Sequence, residues 1–194
     1  MRLTPSQSAP QLPMADIAGQ PVRFGSGRKV MLSLFREASC PFCNFRVYEL
    51  THNAATFATL GIDVVAVFHS SPEEVRRFVA RQPRPFRMVA DPEGRAHQAF
   101  GVERSMRGKL LAMLKRMRAL FIGLSEAGGR GGRTGTLMPA DFLIDEHGQI
   151  VETYYGADAG DHIPLEQVTR FAERGTVWTA PDRAAELGSS AGRR

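Results

Sequence analysis

Short apolar runs alternate with helical stripes along the first half of the chain. KVMLSLF at 29–35, IDVVAVFH at 62–69 and FRMVA at 86–90 have the length and apolar content of buried strands. After the first run, Val47, Leu50, Ala54 and Phe57 recur at steps of three and four, and the pattern ends near Gly61. This spacing predicts an amphipathic helix between the first two strands.

The next two helices follow the second and third strands. Ser71 can cap a helix whose first position is Pro72, and Glu74, three residues after the cap, completes a capping box. The segment DPEG at 91–94 predicts a turn, and RAHQAFGV at 95–102 predicts one short helix.

The second half of the chain predicts a hairpin and a final helix. MPADFLIDEHGQIVETYYG at 138–156 reads as two strands joined at 146–149, and residues 165–174 have a helical stripe. The order β-α-β-α-β-α, an insertion, then β-β-α predicts an α/β fold with a mixed central sheet and helices on both faces. This is the element order of a thioredoxin-like fold.

The insertion covers about 104–135 and begins with a basic amphipathic helix. Its apolar positions are Met106, Leu110, Met113 or Leu114, Met117, Phe121 and Leu124. Such a helix could pack its stripe on its own domain, cover the active site, form a subunit interface or lie on a membrane surface. We expect packing on its own domain first, self-association next, and membrane contact through 104–124 last. The glycine-rich stretch EAGGRGGRTGT that follows predicts a flexible connector.

Length and composition favour one domain. A chain of 194 residues with 43% apolar residues can bury a sizeable core, which we place at 16–178. Residues 1–15 and 179–194 lack periodicity and are expected to have no fixed structure.

Charge and targeting signals limit the expected partners and cellular compartment of the protein. The formal net charge is +5, and its densest part is a run of six basic residues between Glu103 and Glu126 with no acidic residue among them. We expect no nucleic-acid partner, since charge alone does not specify one. No apolar run reaches membrane-spanning length and Met1 does not open a secretory signal, so we expect a cytoplasmic protein.

Both cysteines of the chain, Cys40 and Cys43, lie at the turn between the first strand and the first helix. A thiol at a helix N-terminus faces unpaired backbone N–H groups, which stabilise its thiolate. A second cysteine one turn later can resolve a mixed disulfide formed on the first. Pro41 suits the first turn, and Phe42 adds apolar surface beside the thiols. Arg36 and Glu37 could tune the thiolate, by charge and by proton relay, or be ordinary exposed loop charges.

Two other roles for the cysteine pair remain open. A pair spaced C-x-x-C is half of many zinc sites, but the five histidines of the chain contain no H-x3–5-H pair. The pair could also be inert filler. A metal-binding protein or a redox-gated interaction module is therefore the alternative from another functional class. We expect neither a cofactor nor a bound metal.

Several segments together resemble a known family. CPFC after an apolar strand is similar to the active-site turn of thioredoxin-like proteins, and its Pro-Phe pair to that of glutaredoxins. ADPEGRAHQAFGV at 90–102 and FLIDEHGQI at 142–150 resemble two segments of peroxiredoxins of the AhpC/TSA group. The resemblance implies a thiol oxidoreductase in antioxidant or redox homeostasis, with a disulfide or peroxide substrate and a dithiol reductant such as thioredoxin or glutathione. It also allows a homodimer.

The chain departs from the peroxiredoxin pattern at two positions. If Cys43 takes the place of the peroxide-reducing cysteine, Cys40 occupies the usual Thr position. Pro139 stands where these proteins carry an active-site Arg, and Arg130 or Arg133 could supply the missing charge. The Met138–Pro139 pair resembles instead the cis proline that packs beside CxxC in other branches, which implies a cis bond. We expect Cys40 to attack and Cys43 to resolve; a peroxide-reducing Cys43 would reverse these roles.

Overall fold

A five-stranded mixed sheet lies at the centre of the computed structural model, which describes residues 1–81, 83–126 and 135–173. The strands are β1 Met14–Ala15, β2 Pro21–Val22, β3 Lys29–Phe35, β4 Ile62–Phe68, β5 Arg87–Ala90, β6 Ala140–Ile144 and β7 Ile150–Tyr155. The helices are α1 Pro41–Thr59, α2 Pro72–Phe78, α3 Arg95–Ala99, α4 Met106–Lys115, α5 Met117–Glu126 and α6 Leu165–Glu173. The predicted α/β fold with a mixed sheet is confirmed.

The sheet order is β5-β4-β3-β6-β7, with β1 and β2 forming a separate small ladder. β3 pairs in parallel with β4 and antiparallel with β6, and all seven of its residues are buried. Its side chains alternate between two cores. Met31 and Phe35 pack with side chains of α1, α2 and α6, whereas Leu32 and Leu34 pack with α3 and the N-terminal segment.

The predicted local signals act as expected at α2 and at the hairpin. Ser71 and Glu74 form the full capping box, with Pro72 in the first turn of the helix. β6 and β7 are joined by a tight turn in which Asp145 accepts hydrogen bonds from the backbone N–H groups of His147 and Gln149. Gly148 has φ +83°, a left-handed conformation that favours glycine.

The N-terminal residues differ from the prediction that 1–15 lack fixed structure. Ser6 donates a backbone hydrogen bond to Ile150 at 2.8 Å, Ala9 donates one to Gly148 at 2.9 Å, and Ala9 is buried. The segment therefore runs along the open edge of β7 and covers the core of that face. Edge pairing of this kind has no periodic signature in a short, proline-containing segment.

The insertion also differs from the single helix predicted for it. It forms two helices, α4 and α5, separated at Arg116, whose φ of −119° and ψ of 41° are not helical. Six of its large apolar side chains are exposed, whereas Gly108, Ala112 and Gly123 pack inward and Leu120 is half-buried against the core. The predicted packing of the apolar stripe on its own domain is therefore wrong. The structure does not describe residues 127–134, which include Arg130, Arg133 and most of the predicted connector. It also does not describe residues 174–194, which include the predicted C-terminal tail.

Among the described helices, none combines the length and the apolar character that crossing a bilayer requires.

Candidate active site

Cys40 occupies the N-cap of α1, at the point where the chain leaves β3. A turn closed by the Cys40 N–H and the Glu37 carbonyl, at 2.9 Å, leads into the helix. Asn44, which the sequence analysis did not single out, is fully buried, and its Nδ2 donates to the carbonyls of Ala38 and Cys40 at 2.7 and 3.0 Å. Pro41 takes the first helical position as predicted. These bonds fix the turn that carries the thiols.

Both cysteines are free thiols, and both are fully buried. Phe42, expected to offer apolar surface to a partner, is only 5% exposed and lies against Gly160 of the loop after β7. The turn that carries the thiols is therefore covered by the rest of the protein. The reason is the insertion, because α5 packs on the first turn of α1 and Ala112 of α4 joins the same buried cluster as both cysteines.

Arg36 is 1% exposed, with its guanidinium at the thiols. Nη1 donates to Cys40 Sγ at 3.3 Å, and Nη2 donates to the Gly135 carbonyl at 2.6 Å. Glu37 is held beside it, since Oε1 accepts the Gly135 N–H at 2.7 Å. Arg36 and Glu37 therefore both bond the backbone of Gly135, at the end of the insertion. The reading of Arg36 as an exposed loop charge is wrong.

The two thiols differ in their acidity. A hydrogen bond from Cys43, the positive charge of Arg36 and the backbone N–H groups of Phe42 and Cys43 outweigh burial and lower the pKa of Cys40 to about 7, from an ordinary value of 9.0. Burial and the neighbouring Cys40 sulfur raise the pKa of Cys43. The geometry therefore favours a Cys40 thiolate that accepts a hydrogen bond from a protonated Cys43.

Met138 and Pro139 lie just before β6, in contact with the insertion. Met138 is buried in the same cluster as Cys40 and Cys43, and its sulfur packs against Gly108 of α4. Pro139 accepts a hydrogen bond from the Gly156 N–H at 2.9 Å. The predicted cis bond before Pro139 is wrong: the bond is trans, which is the lower-energy isomer for most X-Pro bonds.

A buried polar cluster lies beneath α1, and its members were missed in the sequence. Asp141 on β6 is fully buried and accepts hydrogen bonds from Ser33 Oγ at 2.6 Å and from the Ile163 N–H at 2.8 Å, and His162 Nδ1 lies 3.0 Å from it. Burial alone would raise the pKa of Asp141, but the charge and hydrogen bond of His162, with Arg46 and Ser33, lower it. The sequence did contain a sign of this cluster: Ser33 and Asp141 are polar residues at core-facing positions of two apolar strands, and these strands pair with each other.

Two of the five histidines, His97 and His69, lie close together and contact neighbouring groups. His97 is buried, with Nδ1 2.9 Å from Asp91 Oδ2 and Nε2 2.6 Å from the Phe35 carbonyl. His69 packs against Gly94 and the His97 ring. In the ranges that the structure describes, no group of three or more Cys, His, Asp or Glu side chains is arranged to hold a metal ion.

The β3-turn-α1 unit, the antiparallel β6-β7 hairpin and the paired thiols define a thioredoxin-like domain with a dithiol site. The sequence model of the AhpC/TSA family matches residues 5–153. The chain belongs to the AhpC/TSA family.

A curated relative agrees with this assignment, and two solved structures agree with the fold. A protein of Mycobacterium tuberculosis that is named as a peroxiredoxin is 27% identical over 166 residues, which cover 84% of this chain and 91% of the relative. The crystal structure of Peroxidoxin BcpB from Mycobacterium tuberculosis superposes with a TM-score of 0.63 at 15% identity, covering 88% of this chain and 97% of that one. A thiol:disulfide interchange protein, DsbE, from Chlorobium tepidum gives a TM-score of 0.61 at 22% identity, covering 88% and 98%. The predicted thioredoxin-like fold is confirmed.

Proposed function

We propose that this protein is a thiol-disulfide oxidoreductase in which Cys40 attacks and Cys43 resolves. The observation that carries the proposal is the 3.3 Å contact between Arg36 Nη1 and Cys40 Sγ, at the N-terminus of α1. A guanidinium and free helical N–H groups stabilise a thiolate at this sulfur. Cys43, whose pKa is raised, supplies the hydrogen bond. The asymmetry assigns different roles to two otherwise equivalent thiols.

The reaction needs no group beyond the two thiols and the substrate. The Cys40 thiolate attacks one sulfur of a disulfide, and the other sulfur leaves as a thiolate that takes up a proton. Cys43 then loses its proton and attacks Cys40, which releases the second substrate thiol and leaves a Cys40–Cys43 disulfide. Two electrons pass from the protein to the substrate. A dithiol reductant such as thioredoxin, or glutathione, returns both cysteines to thiols.

Hydroperoxide reduction is the second candidate, and family membership favours it. The Cys40 thiolate would attack a peroxide oxygen, releasing the alcohol or water and forming a sulfenic acid. Cys43 would condense with that sulfenic acid, expelling water and giving the same disulfide. Arg36 supports this candidate too, because it brings a cation to the thiolate although Pro139 occupies the usual Arg position.

Single-cysteine variants test the assignment of roles. With an aromatic disulfide such as dithionitrobenzoate, Cys43→Ser should accumulate a stable mixed disulfide at Cys40, because its resolving thiol is missing. Cys40→Ser should react no faster than an ordinary buried thiol. Mass spectrometry of each adduct identifies the attacking sulfur. A stable adduct on Cys43 in the Cys40→Ser variant, formed at the wild-type rate, would reverse the roles.

Stopped-flow oxidation of the reduced protein separates the two substrates. Hydrogen peroxide and an alkyl hydroperoxide are compared with a peptide disulfide at equal concentration, and the Cys40→Ser/Cys43→Ser variant provides the blank. A peroxide rate no greater than that of free cysteine removes peroxide reduction as the main activity. Slow reaction with every disulfide, together with fast peroxide reduction, instead makes the protein a peroxidase.

A further inference from the structure

The outer surface of α4 and α5 carries an apolar face that the rest of the domain leaves uncovered. We define the apolar face as Met106, Leu110, Met113, Leu114, Met117 and Phe121, whose exposed fractions run from 48% to 72%. Large apolar side chains elsewhere in the described chain are exposed only at Met1 and Val151. Isolated exposed apolar residues are ordinary, but six on two consecutive helices mark a binding surface.

The two helices cannot bury this face by turning over. Their inward side is built mainly from Gly108, Ala112 and Gly123, which let them approach the domain closely, and Leu120 is half-buried against the core. A Cβ at Gly123 would overlap the Pro41 carbonyl oxygen, and one at Gly108 would lie 2.6 Å from the Met138 sulfur. Small residues inside and large apolar residues outside are the reverse of an ordinary surface helix. The outward orientation is therefore built into the packing.

Basic side chains border the apolar face. Arg104, Arg107, Lys115 and Arg118 are exposed, and they form no ion pair with any residue that the structure describes. Arg116 differs, since it is bound to Asp158 at 2.8 Å and Asp161 at 3.2 Å. Between Glu103 and Glu126 the two helices themselves carry basic residues and no acidic residue.

This charge distribution favours one kind of partner for the apolar face over another. A second copy related by a two-fold axis would bring one positive border against another, which is unfavourable. Met, Leu and Phe flanked by Lys and Arg are also typical of helices that lie in the headgroup region of a bilayer. Long basic side chains can reach lipid phosphates while their stems lie on the apolar surface. We propose that the apolar face docks on an anionic lipid surface.

Docking in this way would set the thiol site at the membrane. α5 crosses the first turn of α1 at Gly123 and Pro41, so the CPFC turn lies directly behind the helix that meets the lipid. The proposal concerns binding only and does not depend on which substrate the thiols reduce.

Vesicle flotation tests the proposal with the full-length reduced protein. The probes are vesicles of phosphatidylcholine alone and vesicles of phosphatidylcholine and phosphatidylglycerol in equal parts. We expect the protein to float with the anionic vesicles and to stay behind with the neutral ones. Each basic residue near an anionic surface contributes a factor of about five in affinity. The Arg107→Gln/Arg118→Gln variant should therefore bind roughly 30-fold more weakly.

Matched controls separate the apolar face from general charge. Leu114→Ser/Phe121→Ser changes two exposed positions of the face, and Val151→Ser changes an exposed apolar residue on β7. Arg23→Gln/Arg95→Gln removes the same net charge as Arg107→Gln/Arg118→Gln, away from α4 and α5. We expect flotation to be lost in the first variant and kept in both controls. Circular dichroism and titration of two thiols verify that each protein is folded.

Three results would overturn the proposal. The first is absence of wild-type flotation with anionic vesicles. The second is unchanged flotation of Leu114→Ser/Phe121→Ser, which would mean charge attraction without insertion of the face. The third is a wild-type dimer in sedimentation analysis that the same variant converts to a monomer, since a second copy would then occupy the face.

Discussion

Arg36 acts unequally on the two thiols, because its Nη1 donates to Cys40 Sγ at 3.3 Å, whereas its charge and backbone N–H lower the pKa of Cys43 less than burial raises it. The guanidinium is itself buried, and among the described residues it donates hydrogen bonds to the Cys40 thiol and the Gly135 carbonyl, while Nε has no partner there. A buried cation with so few acceptors gains most when the sulfur beside it is negative. Its placement therefore favours the thiolate form of Cys40.

Replacing Arg36 should weaken the Cys40 thiolate. In Arg36→Met we expect the pKa of Cys40 to rise from about 7 towards the ordinary 9.0, because the charge and the hydrogen bond of the guanidinium are lost. Arg36→Lys keeps the charge but not the forked geometry, so it should fall between the two. The measurement is thiolate ultraviolet absorbance against pH in a Cys43→Ser background and in the wild type. An unchanged midpoint in Arg36→Met would contradict the assignment.

The sequence could show that Arg36 lies beside the thiols but not that it is buried. An arginine directly before a turn is usually exposed, and its burial here depends on Gly135, about a hundred positions away. Asp141 was hidden for a similar reason. It stands in an apolar strand, and only the pairing of β3 with β6 places it opposite Ser33. Local sequence patterns predict whether a segment is a strand or a helix. They do not predict which distant residue an isolated polar side chain will contact.

At the scale of elements, the contact between α1 and α5 covers the thiol turn. Gly123 sits against the Pro41 carbonyl and the Phe45 backbone nitrogen, with no room for a side chain. The consequence is that α5 shields Cys40 and Cys43 only while this close crossing is kept. Helix crossings of this kind tolerate almost no added volume.

Gly123→Ala should therefore loosen the cover of the thiols. The added Cβ forces α5 away from Pro41, and we expect a loss of about 1 to 3 kcal/mol in the free energy of unfolding. We also expect faster reaction of both thiols with dithionitrobenzoate. Ser125→Ala, on the exposed side of the same helix, is the control and should change neither quantity. Wild-type thiol reactivity in Gly123→Ala would show that α5 does not limit access.

Most elements of the fold followed from periodicity, capping and turn chemistry. β3, β4, α2 and the β6-β7 hairpin lie where the pattern predicted them. The insertion did not, because its stripe has the spacing of a core-facing helix although the glycines between the stripe positions face the domain. Which side of an amphipathic helix turns inward is decided by the surface it meets, and that surface is formed by distant residues.

At the scale of the whole molecule, buried carboxylates link stability to pH. The pKa values of Asp91 and Asp141 are lowered, since burial is outweighed by His97 in the first case and by His162 in the second. Each group therefore binds protons more weakly in the folded state than in the unfolded state. The stability that it contributes is complete above the ordinary carboxyl value of 3.8 and is lost as the pH falls through the folded value.

The dependence of the free energy of unfolding on acidic pH should reveal the contribution of Asp141. We expect Asp141→Asn to lower the free energy of unfolding by about 3 kcal/mol at neutral pH, because His162 and Arg46 lose a buried counter-charge. The variant should also lose less stability than the wild type as the pH falls below the ordinary carboxyl value of 3.8. Urea titrations across this range are the measurement. Asp63→Asn, which alters a surface pair with Arg28, is the matched control. Parallel pH profiles for Asp141→Asn and the wild type would refute this account.

The two ends of the insertion meet before it reaches the sheet. Ser105 donates a backbone hydrogen bond to the Thr136 carbonyl at 2.6 Å, and Arg104 forms an isolated bridge with Leu137. The polypeptide thus leaves and re-enters the domain through a narrow neck, and the entropy of closing the loop depends only weakly on how much chain lies beyond it. The segment past that neck can be lengthened, shortened or exchanged without altering the register of any strand. Evolution can therefore rework what covers the thiols while the scaffold that orients them stays the same.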